Sequence, residues 1–160
     1  MQSKKLLKRQ VMNLSESNNI KIVKTDDIAS CLAIREKVFI KEQNVPIERE
    51  IDEYDRPDAD CEHYLITYNG VNVGTFRCIH DEPDAVHMQR LCILGEMRGK
   101  GCGYAAMSFL KEHYKSLGEK KITLGAQCHA IPFYESCGFH CVSDVFLDAG
   151  IEHRTMECIL

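Results

Sequence analysis

No apolar run in this chain approaches the roughly 20 residues that a membrane-spanning helix requires. No Cys-x-x-Cys pair occurs among its nine cysteines, although metal and redox centres commonly use that spacing. Basic charge is not in excess: the formal net charge is −4, so the electrostatic footprint of a nucleic-acid binder is missing. Internal repeats are absent. Met1–Gln10 carries the charges of a signal peptide's first segment without the apolar segment that must follow. These absences point to a cytoplasmic protein that binds neither nucleic acid nor membrane.

What is present suits one domain. The chain has 160 residues, 44% of them apolar and 28% charged, enough for one substantial core. An odd cysteine count argues against a fully paired secreted framework. Cys137 and Cys141 bracket His140, but two thiols and one imidazole do not close a tetrahedral metal site. The cysteines read as reduced thiols packed as small apolar groups. Cys102, in a glycine-rich loop, is the one to watch for reactivity. No metal is expected.

Residues 1–19 read as a polar, basic arm with a short helix over Leu6–Met12, and residues 20–160 as the domain. A strand over Ile20–Lys24 leads into Thr25-Asp26-Asp27, an N-cap for a helix whose face is Ile28, Leu32, Val38 and Phe39, running to about Ile40. Glu42–Asp60 is acidic, holds Pro46 and Pro57, and reads as a long functional loop with one helical turn. Its Glu48, Glu50, Asp52, Glu53 and Asp55 read as solvated; a loop so charged, if it faced a cleft, would favour a cationic amine. Tyr64–Tyr68 and Val71–Ile79 are strands joined by Asn69-Gly70, a hairpin signal. After a turn at Asp81–Asp84, Val86–Leu94 is a third strand.

A helix then carries Gly103, Met107, Leu110, Tyr114 and Leu117 at steps of four and three, with Gly118 as its stop. Lys121–Ala126, Phe139–Val142 and Ile151–Cys158 complete the strands, with a short helix over Ala130–Cys137. The fold class is α/β: a mixed, mostly antiparallel sheet flanked by helices.

Chemistry concentrates in Arg98-Gly-Lys-Gly-Cys-Gly103, which joins a strand to a helix start. Free amides and the helix dipole there favour a pyrophosphate. Glycines at 99, 101 and 103 remove the Cβ atoms that would hold phosphate oxygens off the backbone. A Walker A reading fails, because Gly95 and Gly99 are one residue too close and Gly101 stands where a hydroxyl is needed. Gly101-Cys-Gly-Tyr-Ala-Ala106 matches a Rossmann glycine pattern literally, but Lys121–Ala126 ends without the required ribose-binding acid.

The remaining pattern, [Arg/Gln]-x-x-Gly-x-[Gly/Ala] after an apolar strand, resembles the coenzyme A signature of GNAT acetyltransferases. Val38-Phe-Ile-Lys-Glu-Gln43, Arg90-Leu-Cys-Ile93, Leu124-Gly-Ala-Gln-Cys-His129, Phe133-Tyr-Glu-Ser-Cys-Gly-Phe139 and Gly150-Ile-Glu-His153 occur in order along the chain. Together they resemble the ElaA-like branch over residues 20–160.

That resemblance implies a GNAT-type sheet splayed between the strands ending near Ile93 and Ala126, with acetyl-CoA as co-substrate. Backbone groups of Leu91, Cys92 and Ile93 would bind the pantetheine arm. Arg98, Gly99, Lys100, Gly101, Cys102, Gly103 and Tyr104 would bind the pyrophosphate, and Gln127 would help hold the coenzyme. Tyr134 would protonate the departing thiolate. His87, six residues before Ile93 and sharing a strand face with Gln89 and Leu91, is the candidate base. Ordered water is the competing and favoured route, since the branch carries no ionisable group there. Glu42, Gln43, His63, His129 and His153 would shape the acceptor side, although a histidine held by backbone carbonyls fits the last three equally.

The acceptor would be a primary amine of a small molecule or peptide, and the protein a monomer or homodimer. A non-catalytic coenzyme A-binding module is the alternative.

Overall fold

Local chemistry sets the ends of most elements in the computed structural model, which describes residues 19–160. The helix expected over Leu6–Met12 lies outside these described residues. The strands are β1 (Ile20–Thr25), β2 (Glu62–Tyr68), β3 (Val71–Ile79), β4 (Ala85–Ile93), β5 (Lys121–Gln127), β6 (His140–Cys141), β7 (Phe146–Asp148) and β8 (Ile151–Ile159). The helices are α1 (Ile28–Arg35), α2 (Ile47–Glu50), α3 (Cys102–Ser116) and α4 (Ile131–Ser136). Asp27 caps α1, accepting from the Ser30 amide at 3.1 Å. Asn69 and Gly70 take φ values of 51° and 79°, the geometry that closes a tight hairpin.

The strands make one sheet in the order β1-β2-β3-β4-β5-β8-β6, with β7 also on β8. Among the described residues only β4 and β5 pair in parallel; the other pairs are antiparallel. The parallel register runs from Ala85↔Lys121 to Met88↔Leu124 and stops. Beyond it the two strands diverge, as the expected splay requires. Two cores cover the two faces. The larger packs Ala106, Met107, Leu110 and Tyr114 of α3 against Ile66, Phe76, Val86, Met88, Ile122 and Leu124. The smaller packs Cys31, Ile34 and Val38 against Leu65 and Cys92.

Three expectations change. The first helix spans the expected residues but alters its winding: Glu36–Glu42 is π-helical, with the Gln43 amide donating to Val38 O at 3.2 Å. Such segments are rare and often mark functional sites. At the other end of α3, Leu117 is 62% exposed, because the helix ends one residue earlier and Leu117 falls off the core face. The third is β7, which three residues were too few to announce in the sequence.

The acidic loop is the larger correction. Glu50 and Asp55 are buried, not solvated. Arg35 donates to Glu50 Oε1 at 2.7 Å and to Asp55 Oδ1 at 2.6 Å. Arg77 donates to Asp52 Oδ2 at 2.7 Å and to Asp55 Oδ1 at 3.0 Å. Buried carboxylates persist only when paired in this way. Glu48 and Glu53 are exposed, as expected. Burial alone would raise Asp52 and Asp55, but the arginine hydrogen bonds and charges hold both below the ordinary carboxylate value. For Glu50 burial wins, and its value is raised despite Arg90 and Arg35.

Candidate active site

A β-bulge organises the strand beside the splay. Arg90 takes φ 60°, and the β3–β4 register slips between Thr75↔Cys92 and Arg77↔Gln89. The extra residue reverses which side chains face which core. Val86 and Met88 lie in the α3 core, and after the bulge Leu91 and Ile93 pack there while Cys92 joins the α1 core. His87 and Gln89 therefore face the α1 side, and Leu91 does not share that face as the plain alternation predicted.

A cleft of about 1080 Å³ opens where β4 and β5 part. Leu91, Cys92, Ile93, Arg98, Gly99, Gly101, Cys102, Gly103, Tyr104, Gln127 and Tyr134 all line it. Along Gln89–Ile93 and Gly125–Gln127 the facing edges have no strand partner between them, so their amides and carbonyls can receive an extended ligand.

The loop offers backbone where phosphate was expected. Gly99 and Gly101 take φ values of 76° and 89°, and a Cβ at Gly99 would meet nothing within 4 Å. The missing side chains leave open approach to the start of α3. Gly103 has a different purpose: a Cβ there would come within 3.0 Å of the Phe133 ring, so this glycine lets α4 pack on α3. Lys100 is exposed and does not line the cleft. Cys102 is buried at the helix start, and burial raises its thiol pKa although Lys100 opposes this. A raised, buried thiol is a packing group, not a nucleophile.

Tyr134 is 8% exposed, lines the cleft and has no hydrogen-bond partner among the described side chains. Burial pushes its pKa upward, with Cys137 and Cys92 adding to the effect. It is a neutral phenol with a proton to give. From the opposite sheet face, His87 lines the same cleft, its Nδ1 3.2 Å from Asp81 Oδ2. A carboxylate at Nδ1 holds the proton on that nitrogen and leaves Nε2 as the acceptor. Asp81 was read only as a turn residue; no spacing signal distinguishes it from Asp84.

The acceptor-side residues divide. Gln43 lines the cleft and exchanges hydrogen bonds with Gln127. Glu42 stands at its edge, 2.7 Å from Arg98 Nη2. His129 and His153 line the cleft; His153 also contacts Ile151 O through Nδ1 at 2.7 Å and stacks on Phe146. His63 does not belong there. It is 4% exposed, and its Nε2 meets Tyr54 O at 2.9 Å beneath the acidic segment. Phe146 and Asp148 of β7 supply lining that the sequence did not reveal. Among the described residues no cluster of His, Cys, Asp or Glu has metal-site geometry, and no helix is long and apolar enough to cross a membrane.

Comparison with known proteins agrees with this geometry. The family model described as the acetyltransferase (GNAT) domain matches residues 26–160. YjcF of Bacillus subtilis, named an uncharacterized N-acetyltransferase, is 36% identical over 135 residues, covering 82% of this chain and 91% of that protein. Protein ElaA of Escherichia coli is 34% identical over 131 residues, covering 78% of this chain and 82% of ElaA. The ElaA crystal structure superposes with a TM-score of 0.75 at 29% identity, over 87% of this chain and 99% of that one. A GNAT acetyltransferase of Elizabethkingia anophelis, solved with acetyl-CoA bound, shares the fold at a TM-score of 0.63 and 15% identity, over 89% of this chain and 99% of that one. The chain therefore belongs to the GNAT acetyltransferase family and falls in its ElaA-like branch.

Proposed function

We propose that the protein transfers an acetyl group directly from acetyl-CoA to a primary amine of a small molecule or peptide. The observation that carries this reading is the join of three features in one cleft: unpaired strand edges, a glycine-opened helix start and a buried phenol. Coenzyme A would supply the activated acetyl thioester. Leu91, Cys92 and Ile93 would bind its arm through their backbone. Gly99 and Gly101 would admit its diphosphate to the amides at the start of α3, with Arg98 adding charge. The site needs no metal for this chemistry.

The amine nitrogen must lose a proton as it attacks the thioester carbon, because an ammonium has no lone pair to donate. The C–N bond forms, the C–S bond breaks, and the sulfur gains negative charge. Tyr134 donates its hydroxyl proton there, which stabilises the leaving group as its charge develops. The His87–Asp81 contact favours His87 over free water as the group that receives the amine's proton. Nine cysteines without a disulfide among the described residues suit a reducing, cytoplasmic setting.

The test is release of free coenzyme A from acetyl-CoA across a panel of amines and polyamines, with binding measured alongside. Turnover with at least one amine is expected. Tight binding without turnover by any amine would move the protein to the class of coenzyme A-binding modules.

A further inference from the structure

Two contacts tie opposite walls of the cleft together at its loop end. Glu42 Oε2 lies 2.7 Å from Arg98 Nη2. Beside it the Gln43 and Gln127 side-chain amides exchange hydrogen bonds of 2.8 and 3.2 Å. Glu42 closes the π-helical segment and Gln43 follows it, so both belong to the acceptor wall. Arg98 and Gln127 belong to the wall assigned to coenzyme A. Arg98 is doubly committed: its Nε also donates to the Ile93 carbonyl at 3.1 Å, a strand group that the pantetheine arm is expected to use.

Resting on the reading of this cleft as a coenzyme A site, we propose that Glu42 is a gate residue. It holds Arg98 across the mouth, and coenzyme A entry exchanges that partner and removes one of the two ties on the acceptor wall. The exchange is favourable on chemical grounds. The Arg98 and Glu42 side chains are 49% and 41% exposed, and pairs so exposed are weak. A diphosphate offers the same guanidinium several charged oxygens, a stronger and bidentate match. The arm must also displace Arg98 from Ile93 O, so two parts of the ligand act on one side chain.

The released segment is one that changes shape readily. Its π-helical hydrogen bonds are an irregular winding, and Asn44 just beyond it has φ 58°. Phe39, Gln43 and Val45 line the acceptor side of the cleft, so their movement reshapes the amine's pocket.

Calorimetric titration of coenzyme A, without turnover, tests the gate. Glu42→Ala is expected to bind coenzyme A about three- to tenfold more tightly than the wild type, the range of a modest coupling energy. Arg98→Ala is expected to bind it more weakly, and adding Glu42→Ala to Arg98→Ala is expected to change nothing further. Both side chains are exposed, so unchanged thermal midpoints are expected for all variants. A Glu42→Ala protein that binds no more tightly than wild type overturns the gate. An equal gain in the absence of Arg98 also overturns it, since that result means simple charge repulsion. A wild-type protein that binds no coenzyme A overturns the functional reading itself, and the gate with it.

Discussion

Two charged segments flank the cleft, and they use their charge in opposite ways. Residues 47–55 turn Glu50, Asp52 and Asp55 inward onto Arg35, Arg77 and Arg90. Residues 95–103 bury no charged side chain, and present left-handed glycines and helix-start amides instead. One segment is held by side chains paired with one another, although Arg90 Nε is buried without a hydrogen-bond partner among the described residues. The other keeps its backbone open for a partner. Acidic content alone therefore says little about what a cleft attracts, because Glu50, Asp52 and Asp55 are neutralised by arginines.

The comparison breaks most sharply at Asp55. Asp55→Asn leaves Arg35 and Arg77 without a shared carboxylate, and the expected loss is about 3–5 kcal/mol in urea unfolding, with coenzyme A affinity per folded molecule unchanged. A pH series sharpens it. Asp52 and Asp55 are held low, so the stability they confer is fully present above their unfolded value of about 3.9 and is lost as pH falls through their folded values. Glu50 is raised, so its ionisation costs stability, and acidification through its folded value returns part of the loss. The wild type is expected to weaken on acidification below about pH 4, and Asp55→Asn to weaken less.

Gly101→Asp attacks the other segment. A carboxylate about 4 Å from a diphosphate repels it by about 4 kcal/mol at an intermediate dielectric, so affinity should fall roughly 10³-fold. The left-handed backbone adds about 1 kcal/mol of instability. Wild-type affinity in a folded Gly101→Asp protein would remove the phosphate role of the loop.

Between the segments, Tyr134→Phe deletes one hydroxyl and keeps the ring. Turnover should drop about 10²-fold with coenzyme A binding intact. An unchanged rate, where chemistry limits turnover, would return Tyr134 to the core.

The smallest effect is expected at His87. His87→Gln should lower the rate about tenfold, because the side chain held by Asp81 is then no longer there to receive the amine's proton. An unchanged rate, where chemistry limits turnover, would favour the water route.

Much of this was legible in the sequence because it rests on local pattern. Asn69-Gly70 fixed a hairpin, Asp27 a helix start, and the spacing of glycines after an apolar strand a loop at a helix N-terminus. Most residues expected on the coenzyme side line one cleft because one strand–loop–helix unit carries nearly all of them. What stayed hidden depends on long-range partners. Glu50 and Asp55 read as solvated because nothing near them in sequence names Arg35 or Arg77. His63 resembled its cleft-lining counterparts until the fold put Tyr54 over it. The bulge at Arg90 left no mark that strand periodicity could register, yet it decided which neighbours His87 has.

The close approach of Gly103 to Phe133 makes a ruler of the start of α3 and the short helix α4. Tyr134 follows Phe133 directly on α4, so its hydroxyl is positioned from the start of α3 itself. On the proposed role of the loop, the span from its diphosphate cradle to the phenol would be a fixed length, which a ligand would have to match. A coenzyme analogue with a shortened arm would anchor at the loop normally and yet present its sulfur short of the proton. The fold would measure its acyl carrier by length as well as by charge.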